Sequence, residues 1–478
     1  MLTPFFPQFR PRLAALGQRV KALGRHDLFH LEKVFAPFLP PGLLSQSDEG
    51  LNSRHRVYSI RCTFFGFLWQ VLNPGSPCRE VVRQIQAIFG LMEAGTPDEN
   101  TSAYCQARVR LPWDILPRLR CAAAAAAEKV SDLWFGWRVK VLDGTGTSLP
   151  DTPANQRAYP QSAEQRPGCG FPWMRIVGVF SLASGVLLDY AKGNKHTHEL
   201  NLLQRLMDGF KAGDLVLADR GFSSYGLMAM FLNQNVACLF RLHQRRPSDF
   251  RQGQRLGKND RLMVWQKPLQ KPAYLTQAAW RLIPECLAIR LIRFSMPTRG
   301  FRTRSVTLVT TLLDADLYSA EELARLYGRR WKIELWFRDI KTSMGMEVLR
   351  CQSPRMIHKE VEMHFIAYNL IRCLMTRSAS IHNQSIHRIS FKGTVDSVRQ
   401  FSAAIAQARG KKKQRQLLDQ LLEVIARDPV PDRPGRREPR AVKRRPKPYP
   451  LLNRHRRCFK EIPHRNRWWK NNPRKSNA

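Results

Sequence analysis

Tyr327, Arg330, Glu334 and Lys341 stand at offsets of 0, 3, 7 and 14 in a stretch whose apolar spacing predicts a helix. At about 100° per residue these offsets fall within roughly 60° of one another. One stripe therefore carries a carboxylate among two cations and a phenol, with Trp331 and Arg338 projecting beside it. Cations hold phosphates and aromatic faces stack on unpaired bases, so the stripe suits a nucleic-acid backbone and an unstacked base. The same pattern also describes a solvated helix face with i, i+4 ion pairs. Ile333, Trp336 and Ile340 make the opposite side apolar, and Ser319 ahead of Glu322 has the form of a capping box. The helix is expected to run from there to Gly345.

Two aspartates extend the chemistry. Asp143 and Asp219 are each expected at the C-terminal end of a core strand, with Gly144 and Gly221 allowing a sharp exit. An Asp-Gly after a strand is by itself more often a turn. With Glu334, however, the two would bring three carboxylates to one place. Such a cluster repels itself until divalent cations neutralise it, and hard oxygen donors fit Mg²⁺. A pair of such ions can serve both the attacking and the leaving oxygen at a phosphodiester.

The elements that must hold these residues follow from the periodicity. Residues 1–130 read as helical, through Leu31 to Phe38, Tyr58 to Leu72, Arg79 to Leu91, Thr101 to Arg110 and Ile115 to Val130. Strands are expected at Trp137 to Leu142, in a hairpin formed by Phe171 to Phe180 and Val186 to Tyr190, and at Leu215 to Ala218, which is apolar enough to be buried on both faces. His198 to Phe210 has helical spacing. From about residue 243 to 314 the pattern is β again, which predicts an inserted β subdomain within a core spanning 131–375. Helices resume through Val361 to Thr376 and Thr394 to Arg427, the latter within a helical region 376–428. Residues 429–478 form a Pro, Arg and Lys-rich tail that is expected to be disordered and to serve as a non-specific DNA arm, with Trp468 and Trp469 available for stacking.

The whole chain of 478 residues carries 78 Lys and Arg against 38 Asp and Glu, a formal net charge of +40. Self-repulsion of that size is relieved by a polyanion, so nucleic acid is the leading partner, ahead of an acidic membrane surface. The most apolar stretch, Tyr58 to Leu72, is too short to span a bilayer and is interrupted by Arg61. No signal peptide is legible at the N-terminus. Ten scattered cysteines without C-x-x-C or zinc-type spacing suggest reduced thiols and a cytoplasmic protein.

Read together, Tyr327, Arg330, Glu334 and Lys341 match the signature Tyr-x2-Arg-x3-Glu-x6-Lys, and VLDGT around Asp143 and LADRGF around Asp219 are similar in text. Across roughly residues 135–375 the chain resembles DDE transposases of the insertion-sequence-four family. The resemblance implies an α/β, RNase H-like catalytic core with an all-β insertion, a helical N-terminal domain that recognises element ends, and a basic tail. It implies that Asp143, Asp219 and Glu334 bind two Mg²⁺ ions, with Mn²⁺ able to substitute, and that Tyr327, Arg330 and Lys341 hold phosphates of the transposon end. Trp331 would stack on a base flipped out during hairpin formation, with Trp265 or Trp280 as a second such residue. Arg338 and Arg220 are further DNA contacts in this reading.

The implied reaction is cut-and-paste transposition on double-stranded DNA. Hydrolysis nicks the transposon end, the freed 3′-hydroxyl attacks the opposite strand to give a hairpin, water reopens it, and the 3′-hydroxyl attacks target DNA. Two ends must be joined, so a homodimer in a synaptic complex is expected, in the bacterial cytoplasm beside the nucleoid. The competing readings are an RNase H-like nuclease without strand transfer and an inactive, transposase-derived DNA-binding protein. His196, His198 and Glu199 tempt a metal reading, but capping or phosphate contact is the simpler expectation. Lys411 to Lys413 read as a solvated charge run.

Overall fold

Short apolar runs separated by Gly, Pro and Asn become strands of one sheet, and the longer amphipathic runs become helices laid against it. The computed structural model describes residues 30–45, 57–91, 97–128, 132–162, 165–246, 248–295, 305–431 and 452–459. Among the described residues five α-helices come first: α1 (Glu32–Phe35), α2 (Ile60–Leu72), α3 (Cys78–Leu91), α4 (Ser102–Arg110) and α5 (Ile115–Glu128). The aromatic-rich α2 is buried almost throughout, as its composition predicts. After β1 (Arg138–Ser148) come α6 (Pro153–Ala158), β2 (Trp173–Ser181), β3 (Leu187–Gly193), α7 (Glu199–Gln204), β4 (Asp214–Ala218), α8 (Tyr225–Asn233) and β5 (Ala237–Arg241). Then follow β6 (Gln254–Gly257), β7 (Asp260–Gln266), α9 (Gln277–Arg281), β8 (Cys286–Ser295) and β9 (Ser305–Thr310). The remaining helices are α10 (Ala320–Gly328), α11 (Lys332–Arg338), α12 (Pro354–Ile381), α13 (Phe391–Gln407) and α14 (Lys411–Ala426).

The fold is α/β, built on a large mixed sheet of order β3-β2-β1-β4-β5-β9-β8-β7-β6. β1, β4 and β5 run parallel, and the other neighbours are antiparallel. β4 is buried at every residue, as a strand covered on both faces must be. The strands between residues 243 and 314, expected as an inserted β subdomain, are joined to the rest in one sheet. β9 pairs with β5 and with β8, so this segment continues the main sheet, and it includes the short helix α9.

Two hydrophobic cores flank the sheet. One holds Val139, Val141, Leu215 and Leu217 together with α2, α5, α11 and α12, and the other holds Leu142, Val216 and Ala218 with α7 and α8. The long α12 is buried nearly all round. It binds the N-terminal helices to the sheet through Arg120, whose guanidinium donates to Glu362, to the Leu188 carbonyl and to Asp189. Lys359 of α12 is fully buried, and its ammonium donates to the carbonyls of Arg108, Val109 and Leu111 at the end of α4, where cations are favoured. α13 and α14, expected as one helix, are separated at Gly410, whose φ of 82° breaks the helical path.

Most of the basic tail lies outside the described residues, as do residues 1–29, Trp468 and Trp469. Residues 429–431 and 452–459 of the tail are described. Arg456 pairs with Asp151 at 3.0 Å, and its backbone N–H donates to the Gly168 carbonyl, so residues 452–459 lie against the loop that follows β1. Among the described residues no helix is long and apolar enough to cross a membrane. All ten cysteines are free thiols.

Candidate active site

The side chains of β1 and β4 alternate between the two cores, so Asp143 and Asp219 share the face of Val141 and Leu217. The parallel pairing of β1 with β4 ends at the rung Leu142↔Ala218, one step before both aspartates. Asp219 follows the last residue of β4, as expected, and its carboxylate accepts from the Gly221 N–H at 2.7 Å. Asp143 does not stand at a strand end. β1 continues to Ser148 against β2, and Asp143 is paired with Gly178 in the middle of that ladder. It is the parallel neighbour that stops there, because β4 turns away at Asp219.

The helical run after Ser319 supplies the third carboxylate. Its capping box is present in both directions, and its end falls at Gly345, with φ of 77°. It is not one α-helix. A 3₁₀ turn at Arg329–Trp331 separates α10 from α11, and a π turn follows at Asp339–Ser343. The tighter and wider turns largely offset one another in rotation, so the expected faces survive. Ile333, Trp336 and Ile340 are buried, whereas Trp331, Glu334 and Arg338 are exposed.

Arg330 binds this run to the sheet. One nitrogen of its guanidinium lies 3.3 Å from Asp143 and another 3.3 Å from Glu334, and the group packs beside the rings of Tyr327 and Trp331. Its Nε is buried and has no hydrogen-bond partner. Lys341 lies one element further along. Its ammonium donates to the Gly146 carbonyl at 2.8 Å and to Thr145 at 3.4 Å, both on the extension of β1. Thr145 and Gly146 were not singled out as anchors in the sequence, although Thr145 closes the VLDGT text and Gly146 follows it. Gly146 must lack a side chain, because a Cβ there would meet the Trp173 ring at 2.2 Å.

Burial pushes the Asp143 carboxyl up to about 6, aided by Asp219 and Glu334 and opposed by Arg330 and the Gly144 N–H. Burial likewise pushes the Tyr327 phenol up to about 12, so it stays a neutral donor at physiological pH. Among the described residues no three His, Cys, Asp or Glu side chains are close enough to cage an ion, and Arg330 occupies the space between Asp143 and Glu334. The donor set nevertheless fits a hard divalent cation. All three candidates offer carboxylate oxygens, and their mutual repulsion is already felt at Asp143.

The outlying candidates are placed less centrally. Arg220 is exposed and donates to Gln244 at 2.8 Å. His198 caps α7, accepting from the Leu200 N–H, which agrees with the capping expectation. Trp265 and Trp280 are both buried in the second core, beneath Arg246 and Lys267 respectively, so neither ring is presented to solvent.

The comparisons with known proteins bear on this geometry. Residues 134–370 match the family model described as a transposase DDE domain. The chain is 24% identical over 444 residues to the transposase InsG for insertion sequence element IS4 of Escherichia coli (strain K12), covering 91% of this chain and 97% of that one. It is 33% identical over 93 residues to a probable transposase for insertion sequence element IS5377 of Geobacillus stearothermophilus, covering 20% of this chain and 24% of that one. Among solved structures it aligns with the piggyBac transposase in a synaptic complex with hairpin DNA, at TM-score 0.42 and 9% identity, over 87% of this chain and 86% of that one. The matched segment contains both aspartates and the whole Tyr-Arg-Glu-Lys run, and the chain belongs to the DDE transposases of the insertion-sequence-four family.

Proposed function

We propose that this insertion-sequence transposase moves its element by a cut-and-paste route in which Asp143, Asp219 and Glu334 hold a pair of Mg²⁺ ions. The observation that carries the reading is Arg330, placed between Asp143 and Glu334, on the sheet face that Asp219 shares. When bound, the ions would supply Lewis-acid activation of the attacking and leaving oxygens. Asp143 and Asp219 are fixed by the sheet, whereas Glu334 rides on a helix and is half exposed. The carboxylate with the greatest freedom is therefore the one on the helix.

Arg330 serves as the cation that holds the carboxylates in register, and its charge favours a phosphate of the transposon end brought against the site. Tyr327 donates its phenol proton to the same backbone. Lys341, tied to β1 through Gly146, adds a fixed positive charge at the border of the site. Trp331, half exposed and beside Arg330, offers a face to a base flipped out of the duplex during hairpin formation. Arg338 and Arg220 lie on exposed surface, where they add phosphate contacts.

In this reading residues 1–130 recognise the element ends, residues 131–375 form an RNase H-like core with the β strands of about 243–314 as its insertion, residues 376–428 buttress the core, and residues 429–478 add salt-dependent DNA affinity. Two copies join the two ends in a synaptic complex. The protein works in the cytoplasm, on nucleoid DNA. The test incubates purified protein with pre-cut DNA bearing the flanking ends of the gene, a supercoiled target and Mg²⁺, for wild type and Glu334→Gln. Joined product from wild type alone supports the reading; binding without cleavage or joining by either protein favours an inactive DNA-binding role, and cleavage without joining favours a nuclease.

A further inference from the structure

A second chemical centre lies away from the carboxylates, between the N-terminal helices and the segment that follows Lys341. A cavity of about 920 Å³ opens there, lined by Gln70, Cys78, Cys105, Arg108, Cys351 and Glu360 among others. The guanidinium of Arg108 is buried, and its hydrogen bonds go to sulfur, 3.2 Å to Cys78 and 2.8 Å to Cys351. Among the described residues Arg108 forms no ion pair with a carboxylate. A buried cation favours the thiolate form of a sulfur that it contacts, alongside the nearby Glu360 carboxylate.

Two further contacts identify which sulfur it is. Cys78 is the first residue of the 14-residue helix α3, where the helix dipole favours an anion. It also accepts from Gln70 Nε2 at 3.8 Å, and Cys105 lines the same cavity beside it. The neighbouring Cys105 thiol, followed by Arg108 and Gln70, outweighs burial and lowers Cys78 to about 6, while burial holds Cys351 up as a thiol. Gln70 is itself positioned by the Tyr104 hydroxyl, which donates to its carbonyl oxygen at 2.9 Å.

We propose that Cys78 is a reactive thiol site for small disulfides and that Cys105 resolves the resulting adduct. The Cys78 thiolate attacks one sulfur of a disulfide R–S–S–R, forming a Cys78–S–R bond and releasing R–S⁻. Cys105, after losing its proton to solvent, attacks the Cys78 sulfur and expels the second R–S⁻. The protein pair is oxidised by two electrons and the small disulfide is reduced by two. Cys105 is exposed and Cys78 half-buried at the cavity wall, so the reagent has access to both. A Cys78–Cys105 bond would tie α3 to α4 beside the segment 344–353 that trails the active-site helix.

The test treats the full-length, reduced protein with dithiobis-nitrobenzoate under native conditions and maps the modified peptides by mass spectrometry. Cys78 is expected to react on the order of tenfold or more faster than the exposed Cys121 and Cys286, because thiolate content sets the rate. Two aryl thiolates are released for each Cys78 consumed, and a Cys78–Cys105 peptide is recovered. In Cys105→Ser one thiolate is released and the aryl adduct stays on Cys78. Equal rates at Cys78, Cys121 and Cys286, or a fast double release that persists in Cys78→Ser, would overturn the proposal.

Discussion

The guanidinium of Arg330 stands 3.3 Å from the carboxylate of Asp143, although the two residues are far apart in the chain. With its second contact to Glu334 it occupies the middle of the carboxylate group. Replacing it with Gln removes the one cation between them and leaves Asp143 half-buried and opposed by like charge. Arg330→Gln is expected to lower strand transfer on the order of a hundredfold or more, as loss of a preorganised charge does. It should also lower the melting temperature without divalent ions and enlarge the stabilisation that added Mg²⁺ gives, both read by differential scanning fluorimetry. An unchanged Mg²⁺ increment would count against Arg330 as the stand-in cation.

Asp143 titrates near 6 because it is buried and faces Asp219 and Glu334. Its folded value lies above its ordinary one, so the folded chain holds a proton that the unfolded chain has released between about pH 4 and 6. Metal-free stability from this group therefore falls as pH rises through that window. A divalent ion must displace that proton, so Mg²⁺ affinity is expected to drop as pH falls below 6 and to level off above it. Titration calorimetry at several pH values reads this directly. Asp143→Asn should raise metal-free stability and abolish the pH-dependent part of Mg²⁺ binding.

One buried imidazole, His364, and two half-buried ones, His358 and His387, act in the opposite sense. Burial lowers His358 to about 4, and His364 and His387 to about 3. Each folded value lies below the ordinary one, so between pH 6.5 and about 3 the unfolded chain takes up protons that the folded chain refuses. Stability is then lost as pH falls through that window. These shifts exceed the upward shifts of Asp143 and Asp339, both to about 6, so net acid destabilisation is expected. The melting temperature should fall between pH 7 and 5, and His364→Phe should reduce the slope; a flat profile in wild type would contradict the balance.

Lys359 donates to three carbonyls at the end of α4. Lys359→Met keeps the stem but leaves those carbonyls buried without their donor. The expected cost is about 3 kcal/mol in unfolding free energy, from charge-assisted hydrogen bonds lost in a buried setting. Urea unfolding followed by circular dichroism measures it. A loss under about 0.5 kcal/mol, the level of an ordinary surface substitution, would show that water replaces the cation.

Trp331 is half exposed, and its ring lies 5.5 Å from the Arg330 guanidinium. Trp331→Ala is expected to leave thermal stability nearly unchanged while slowing hairpin formation, since base stacking on an aromatic ring is worth about 1–3 kcal/mol. Joining of pre-cut ends, which bypasses that step, should be spared. Partial recovery with Trp331→Phe would tie the effect to stacking, whereas equal loss in both assays would assign Trp331 to general DNA binding.

The helical stripe was legible because 3₁₀ and π turns offset each other, so a calculation for one straight helix still grouped Glu334 with Arg330. Asp219 was legible too, since a short buried strand ending in Asp-Arg-Gly leaves few alternatives. Asp143 was misplaced at a strand end because Gly144 read as a turn residue; Gly146 follows two residues on. In the sheet these glycines instead admit Glu199 and Trp173 close to the backbone. The strands after β5 carried no sign of joining the main sheet, because pairing of β9 with β5 is decided by contacts distant in sequence. The sulfur contacts of Arg108 were equally hidden, with Cys78 and Cys351 brought together only by the docking of α3 and α4 against the segment after Lys341.

The carboxylates of the site are delivered at very different moments of synthesis. Asp143 and Asp219 emerge with β1 and β4, but β5 through β9 must follow before the helix bearing Arg330 and Glu334 exists. A nascent or prematurely terminated chain that stops after β9 has a sheet carrying two of the three acidic groups, and neither the third nor its cation. In the proposed reading, the order of elements delays assembly of the carboxylate centre until most of the polypeptide has left the ribosome, and a chain that stops after β9 lacks Arg330 and Glu334.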